Sequence, residues 1–318
     1  MASPAFNNSP AFSSNPRIAE QATPAGGQAY GQAPQYGQAP YGQAPYGQAP
    51  YGQPQNGQQP YGQQPPFGAP DQLEQQFQRP SATPAETERL TYDGVIMKTV
   101  ATLGVTALGF VVTLGMLFMT GPSLPFYVLT YGGALVGFVL ALVNIFKKEP
   151  VPGLVLSYGA AQGLFLGGFS AIVESMYGGI IFQALLATAC VFGVTLAGYA
   201  FRIFRTSPRM TKIFFIVMIG YLVFSVANLI GMFVAPTGMF GWRSSVEIMG
   251  IPLGVILGIL AVLLGAYSLV MDFEGVEKGV KRGVHKKYGW TAAFGITMTV
   301  IWLYVEILRI IAILRGNN

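Results

Sequence analysis

The stretch TVATLGVTALGFVVTLGMLFMTGPSLPFYVLTYGGALVGFVLALVNIF, from Thr99 to Phe146, contains no charged residue. A helix of ~20 apolar residues crosses ~30 Å of hydrocarbon, and this run is long enough to cross twice. TGPSLP, from Thr120 to Pro125, supplies the Gly/Pro turn that divides it. Further uncharged runs follow at Pro150–Val173, Ser175–Phe201, Ile213–Trp242, Ile248–Met271 and Tyr288–Val305. Together they predict seven spans, roughly 99–120, 125–146, 151–173, 179–201, 211–234, 251–271 and 292–314. Only 10% of the 318 residues are charged and 52% are hydrophobic, a charged fraction less than half that of a soluble domain. The expected fold class is an all-α membrane protein, a seven-transmembrane-helix bundle.

The charges that remain are unevenly placed. Lys147 and Lys148 follow span two, Arg202, Arg205, Arg209 and Lys212 follow span four, and Lys278, Lys281, Arg282, Lys286 and Lys287 follow span six. The alternate loops hold Arg243 alone, a bias of eleven against one. The positive-inside rule then puts the N-terminus in the cytoplasm and the C-terminus outside. Topology also accounts for the net charge of +5, so no nucleic-acid partner is expected. The partner the composition demands is the lipid bilayer.

Residues 1–90 are a different material from the transmembrane domain, 91–318. From Tyr36 they read YGQAP-YGQAP-YGQAP-YGQPQ, with Tyr36, Tyr41, Tyr46 and Tyr51 in phase, and SPAF occurs at Ser3 and again at Ser9. Such sequence lacks the aliphatic residues that offset chain entropy on folding. It predicts a disordered cytoplasmic tail, a spacer or a weakly self-associating segment. The start has no basic stretch leading into an apolar core, so no cleavable signal peptide is expected.

Cys190 and His285 are the only Cys and His, which excludes an internal disulfide and a Cys/His metal cluster. No HExxH, P-loop, G-x-S-x-G or dinucleotide fingerprint is present, and an enzyme is not expected. Within the spans, Gly163 with Gly167 and Gly254 with Gly258 recur four apart, the spacing that lets helix backbones approach closely inside a bundle. Asn144, Gln162 and Asn228 each need a hydrogen-bond partner, expected across helices.

Two carboxylates carry the chemistry. Asp272 ends span six in LVMDFEGVEKGV, and Glu306 lies within span seven in VIWLYVEILRI. A carboxylate at the bilayer centre costs ~2.5–3.5 kcal/mol on insertion scales and marks a functional site by default. Spans six and seven are consecutive and antiparallel, so the two can face each other, share a proton at low pH and hold a hard cation such as Ca²⁺ when deprotonated. The plainer alternative is that Asp272 marks the end of a helix and Glu306 pairs with Arg309 one turn on. Straight helices set the two carboxylates at different depths. Pairing therefore requires Asp272 drawn inward, or span seven starting late, with Tyr288–Phe294 along the interface.

YGAAQGLFLGGF in span three, MDFEGVEKGV, KKYGWTAAFG and LYVEILRIIAIL resemble the transmembrane Bax inhibitor motif family, and more closely its bacterial YccA-like branch, over about residues 90–316. The resemblance implies a seven-helix bundle with a central last helix in a bacterial plasma membrane, and a paired-aspartate pH sensor controlling a Ca²⁺ leak. By position, Asp272 matches the first sensor aspartate and Glu306 the second. Lys147 or Lys148 stands nearest the family's gating arginine, and Gln162 stands where many members carry an acid. The function expected is a pH-sensitive cation leak, with Ca²⁺ as the ion. The rival is a non-conducting membrane interaction protein that modulates a membrane protease or stress complex.

Overall fold

The computed structural model describes residues 88–234 and 240–316. The tail, its YGQAP repeats and the SPAF doublet lie outside the described residues. Seven long helices follow: α1 (Tyr92–Thr120), α2 (Leu124–Phe146), α3 (Pro152–Met176), α4 (Ile180–Ala200), α5 (Pro208–Val234), α6 (Leu253–Lys281) and α7 (Gly289–Gly316). Each is long and apolar enough to cross a membrane. Their outward faces are a continuous apolar surface, with Phe118, Leu135, Phe138, Phe182, Ile216, Leu222 and Leu263 all more than half exposed. A patch of that extent needs lipid as its solvent. The chain is therefore a multi-pass integral membrane protein.

Local chemistry sets the helix ends. Thr91 caps α1 by accepting from the Gly94 N–H at 3.0 Å, with Asp93 in the first turn against the positive end of the helix dipole. Gly121 closes α1 at φ 66°, a conformation that favours glycine, and its N–H returns to the Leu117 carbonyl. Pro125 and Pro152 lie in the first turns of α2 and α3, where a missing N–H costs nothing. Glu174 caps α4 from the preceding helix, accepting from the N–H groups of Gly179 and Ile181.

Several boundaries differ from the sequence expectation, among them the start of α1, at Tyr92 rather than residue 99. α6 runs on to Lys281, through residues expected as loop. Two i,i+4 pairs, Glu274 with Lys278 and Glu277 with Lys281, support the extra turns, and Thr206 and Tyr199 also donate to these two carboxylates. α7 is helical from Gly289, behind a 3₁₀ turn at Lys286–Tyr288. Span seven therefore does not start late.

α7 is the central helix, packed by α1, α3, α4 and α6. Its Leu303, Leu308 and Ala312 are fully buried, and Phe294 meets Tyr158 of α3 edge to face at 5.0 Å. α1 and α3 touch through their backbones. A methyl group at Gly163 would collide with the Thr106 carbonyl and one at Gly167 with that of Phe110. On the other side of α3, a methyl at Gly133 of α2 would lie 2.8 Å from the Ala161 carbonyl. Thr102, Thr106 and Thr113 in the α1 seam return their hydroxyls to carbonyls four residues back, so close approach leaves those groups satisfied. Asn144 crosses from α2 to the Leu154 carbonyl at 3.2 Å. The glycine spacing thus serves packing within the bundle.

At the α6–α7 end a clasp holds the chain that leads into α1. The Leu90 N–H donates to Val284 O and the Lys286 N–H to Glu88 O, both at 2.7 Å. Glu88 also pairs with Lys286 at 2.9 Å and His285 at 3.2 Å. The Lys286 hydrogen bond, then its charge, then the His285 contact hold the Glu88 carboxyl below the usual carboxylate range.

Candidate functional site

Asp272 and Glu306 are both buried, at 0% and 3% exposure, and each has its own surroundings. Opposite Asp272 on α7 stands Thr299, whose hydroxyl donates to Oδ2 at 3.0 Å. That hydroxyl has one proton and a second acceptor, Gly295 O, at 3.1 Å, while Ser268 Oγ lies at 3.5 Å. Thr297, fully buried two residues away, has no hydrogen-bond partner for its hydroxyl among the described residues. Asp272, Ser268 and Thr299 make a short buried polar strip in the α6–α7 interface, whereas Thr297, two residues from Thr299, lies on a different face of α7.

Glu306 lies seven residues beyond Thr299 on α7, about two turns or ~10 Å of rise. The helix register thus faces Asp272 with Thr299 where the sequence reading had Glu306. The cause is the depth mismatch, which a straight α7 starting at Gly289 does not relieve. Glu306 Oε1 instead accepts from the Tyr221 hydroxyl of α5, and Oε2 meets the Arg309 guanidinium one turn along α7. The plainer alternative, a pair with Arg309, is therefore present, and it is joined by a third group. Arg243 Nη1 stands 3.9 Å from Oε2.

Arg243 comes from the connection between α5 and α6, yet it is only 3% exposed. A single helical turn, Trp242–Ser245, and a hairpin pairing Glu247–Ile248 with Ile251–Pro252 fold this segment back against the bundle. Its guanidinium donates to the Tyr221 hydroxyl at 2.9 Å and Ser225 Oγ at 2.6 Å. It also lies over the rings of Tyr221 and Phe224, at 5.0 and 5.4 Å, a contact that desolvation strengthens. Arg309 donates to the same Tyr221 hydroxyl at 2.8 Å. One carboxylate thus sits between two guanidiniums, and arginine does not deprotonate in proteins. A buried ion pair is held together by such surrounding hydrogen bonds more than by charge attraction alone.

The other expected residues fall elsewhere. Lys147 and Lys148 are exposed at the end of α2 and form no ion pair among the described residues. The ion pair near them joins Lys287 to Glu149 at 2.9 Å. Gln162 packs on Gly137 of α2. Asn228 donates to Phe240 O at 3.2 Å, across to the α5–α6 segment. Among the described residues no three His, Cys, Asp or Glu side chains gather as a metal site. Ca²⁺ at rest takes 6–8 oxygens, more than the Asp272 carboxylate with the Ser268 and Thr299 hydroxyls supplies.

Sequence reasoning missed Thr299, Tyr221, Ser225 and the role of Arg243. For Arg243 a signal existed, because it is the one basic residue in the loops that the positive-inside pattern otherwise leaves bare. For the other three none did, since Thr, Tyr and Ser are ordinary in spans and only the register reveals their neighbours.

No characterised protein and no solved structure matches the chain. The family model described as Bax inhibitor 1 like matches residues 4–316, from the tail through to the end of α7. With seven apolar helices in place over the same residues, this chain belongs to the Bax inhibitor 1 like family.

Proposed function

We propose that this protein is a proton-regulated cation leak, with Ca²⁺ as the ion it passes. It would lie in a bacterial plasma membrane with the basic loops and N-terminus cytoplasmic. The observation that carries the reading is the pair of buried carboxylates, Asp272 and Glu306, at two depths along α7, with Ser268 and Thr299 at the Asp272 level. Intramembrane acids mark ion or proton pathways. Set apart by two turns, the two act in series, each taking up a proton or a cation singly. Protons compete with the cation at both carboxylates, which makes the leak pH-sensitive.

The test is Ca²⁺ entry into proteoliposomes of the purified chain at pH 6 and pH 8. A leak passes the ion with no other protein present, at rates that differ between the two pH values, and Asp272→Asn reduces that difference. If the purified protein passes no Ca²⁺ at either pH, the leak reading fails in favour of a non-conducting protein that modulates a membrane protease or stress complex.

A further inference from the structure

The segment Phe240–Pro252 is seated in the bundle, and its seat has independent parts. Gly241 adopts φ 64°, and a methyl group there would lie 2.6 Å from Asn228 Oδ1 and 2.8 Å from Met232 Cγ. The Trp242 ring lies against Gly231, where an added methyl would meet it at 2.8 Å. The hydroxyls of Ser244 and Ser245 return to Gly241 O at 3.1 and 3.2 Å, and the Leu253 N–H closes the segment onto Val246 O at 2.8 Å. What this seating delivers to the interior is the Arg243 guanidinium, set on Tyr221, Ser225 and Glu306.

We infer that Phe240–Pro252 is a plug, and that Arg243 is a tethered cation occupying the Glu306 carboxylate in place of the ion in transit. The inference rests on the leak reading and names how that leak is held shut. A carboxylate on a cation path attracts whichever positive charge can reach it. Here two reach it, and they differ in kind. Arg309 rides on the same helix as Glu306, three residues along, and moves with it. Arg243 belongs to a separate segment and leaves when that segment lifts. While both are present, two fixed positive charges surround one negative charge, and a divalent cation is repelled from the α5–α6 end of the path. With Arg243 withdrawn, the cluster is neutral and the Ser225 oxygen is freed toward the path. Arg243 is thus a positioning residue for closure, acting through Glu306.

The test uses the full-length protein in proteoliposomes at one fixed pH, with Arg243→Gln, Arg243→Lys and Ser225→Ala beside the wild type. Each is read both by Ca²⁺ entry and by hydrogen–deuterium exchange over residues 240–253. Arg243→Gln is expected to raise Ca²⁺ entry at least fivefold and to speed exchange in that segment alone. Arg243→Lys keeps the charge without the planar fork and should fall between. Ser225→Ala removes one acceptor with little change of volume. It gives a smaller rise, about twofold, and serves if Arg243→Gln does not fold. If the wild type passes Ca²⁺ and the variants pass it no faster, the plug is refuted and the leak stands, whether or not exchange has changed. If neither wild type nor variants pass Ca²⁺ although exchange over 240–253 has risen, the leak itself is refuted and the closing role falls with it.

Discussion

Glu306→Gln keeps the size of the side chain and removes its charge, so it isolates what the carboxylate does for the two arginines around it. Breaking a buried ion pair by removing one partner costs about 3–5 kcal/mol, because the remaining charge stays buried. Here two guanidiniums would remain, on Arg243 at 3% and Arg309 at 14% exposure. Glu306→Gln is therefore expected to lower the thermal midpoint in detergent by many degrees. Asp272→Asn should cost only about 1 kcal/mol, since its amide oxygen still accepts from Thr299. Equal midpoints for the two variants would mean that the arginines do not depend on Glu306. Glu306 stood out in the sequence as a charge inside an apolar run, and Asp272 as the charge that closes one. Their partners did not, because a contact across helices depends on register to within a turn.

The α1–α3 seam offers a comparison at the level of the helix. At Gly163 and Gly167 the obstacle to a side chain is the carbonyl backbone of α1, which cannot rotate away. Valine at either position should cost ~3 kcal/mol or more, or prevent folding. Gly104 and Gly115 lie on α1 with nothing within 4 Å of an added methyl, so alanine there should be neutral or gain up to ~1 kcal/mol of helix propensity. A series of thermal midpoints checks both groups, and similar losses at all four sites would contradict the seam. The four-residue spacing was readable in the sequence, but the helix it meets was not. The clasp at Glu88 makes a separate prediction. A carboxyl held below its usual range stabilises the fold above that range and loses the effect as pH falls through it. The gap in thermal midpoint between wild type and Glu88→Gln should accordingly be present at pH 7 and shrink as pH falls through and below the usual carboxylate range. A gap that stays constant with pH would show that the carboxylate charge plays no part.

For the molecule as a whole, the span count came through the sequence, because lipid permits few alternatives to a long apolar helix, while α1 and α6 run past their expected limits into charged residues. The orientation is tested with two cysteines at opposite ends of α6, each in a Cys190→Ala background. Met249→Cys sits at the tip of the α5–α6 hairpin, 97% exposed, and should label readily with an impermeant reagent added to intact cells. Lys281→Cys, at 70% side-chain exposure, should not. The reverse result would invert the topology. The central position of α7 carries a further consequence, for how the protein is made. Synthesis runs from the N-terminus, so of the seven spans the one around which α1, α3, α4 and α6 are arranged is the last to leave the ribosome. Until it arrives, four inserted helices each present a face with nothing against it. Arg243, already translated, waits beside Tyr221 with no carboxylate to meet it. The bundle therefore closes in one late step, and a nascent chain stalled before Gly289 is a membrane protein without its core, open to whatever insertase or protease attends its birth.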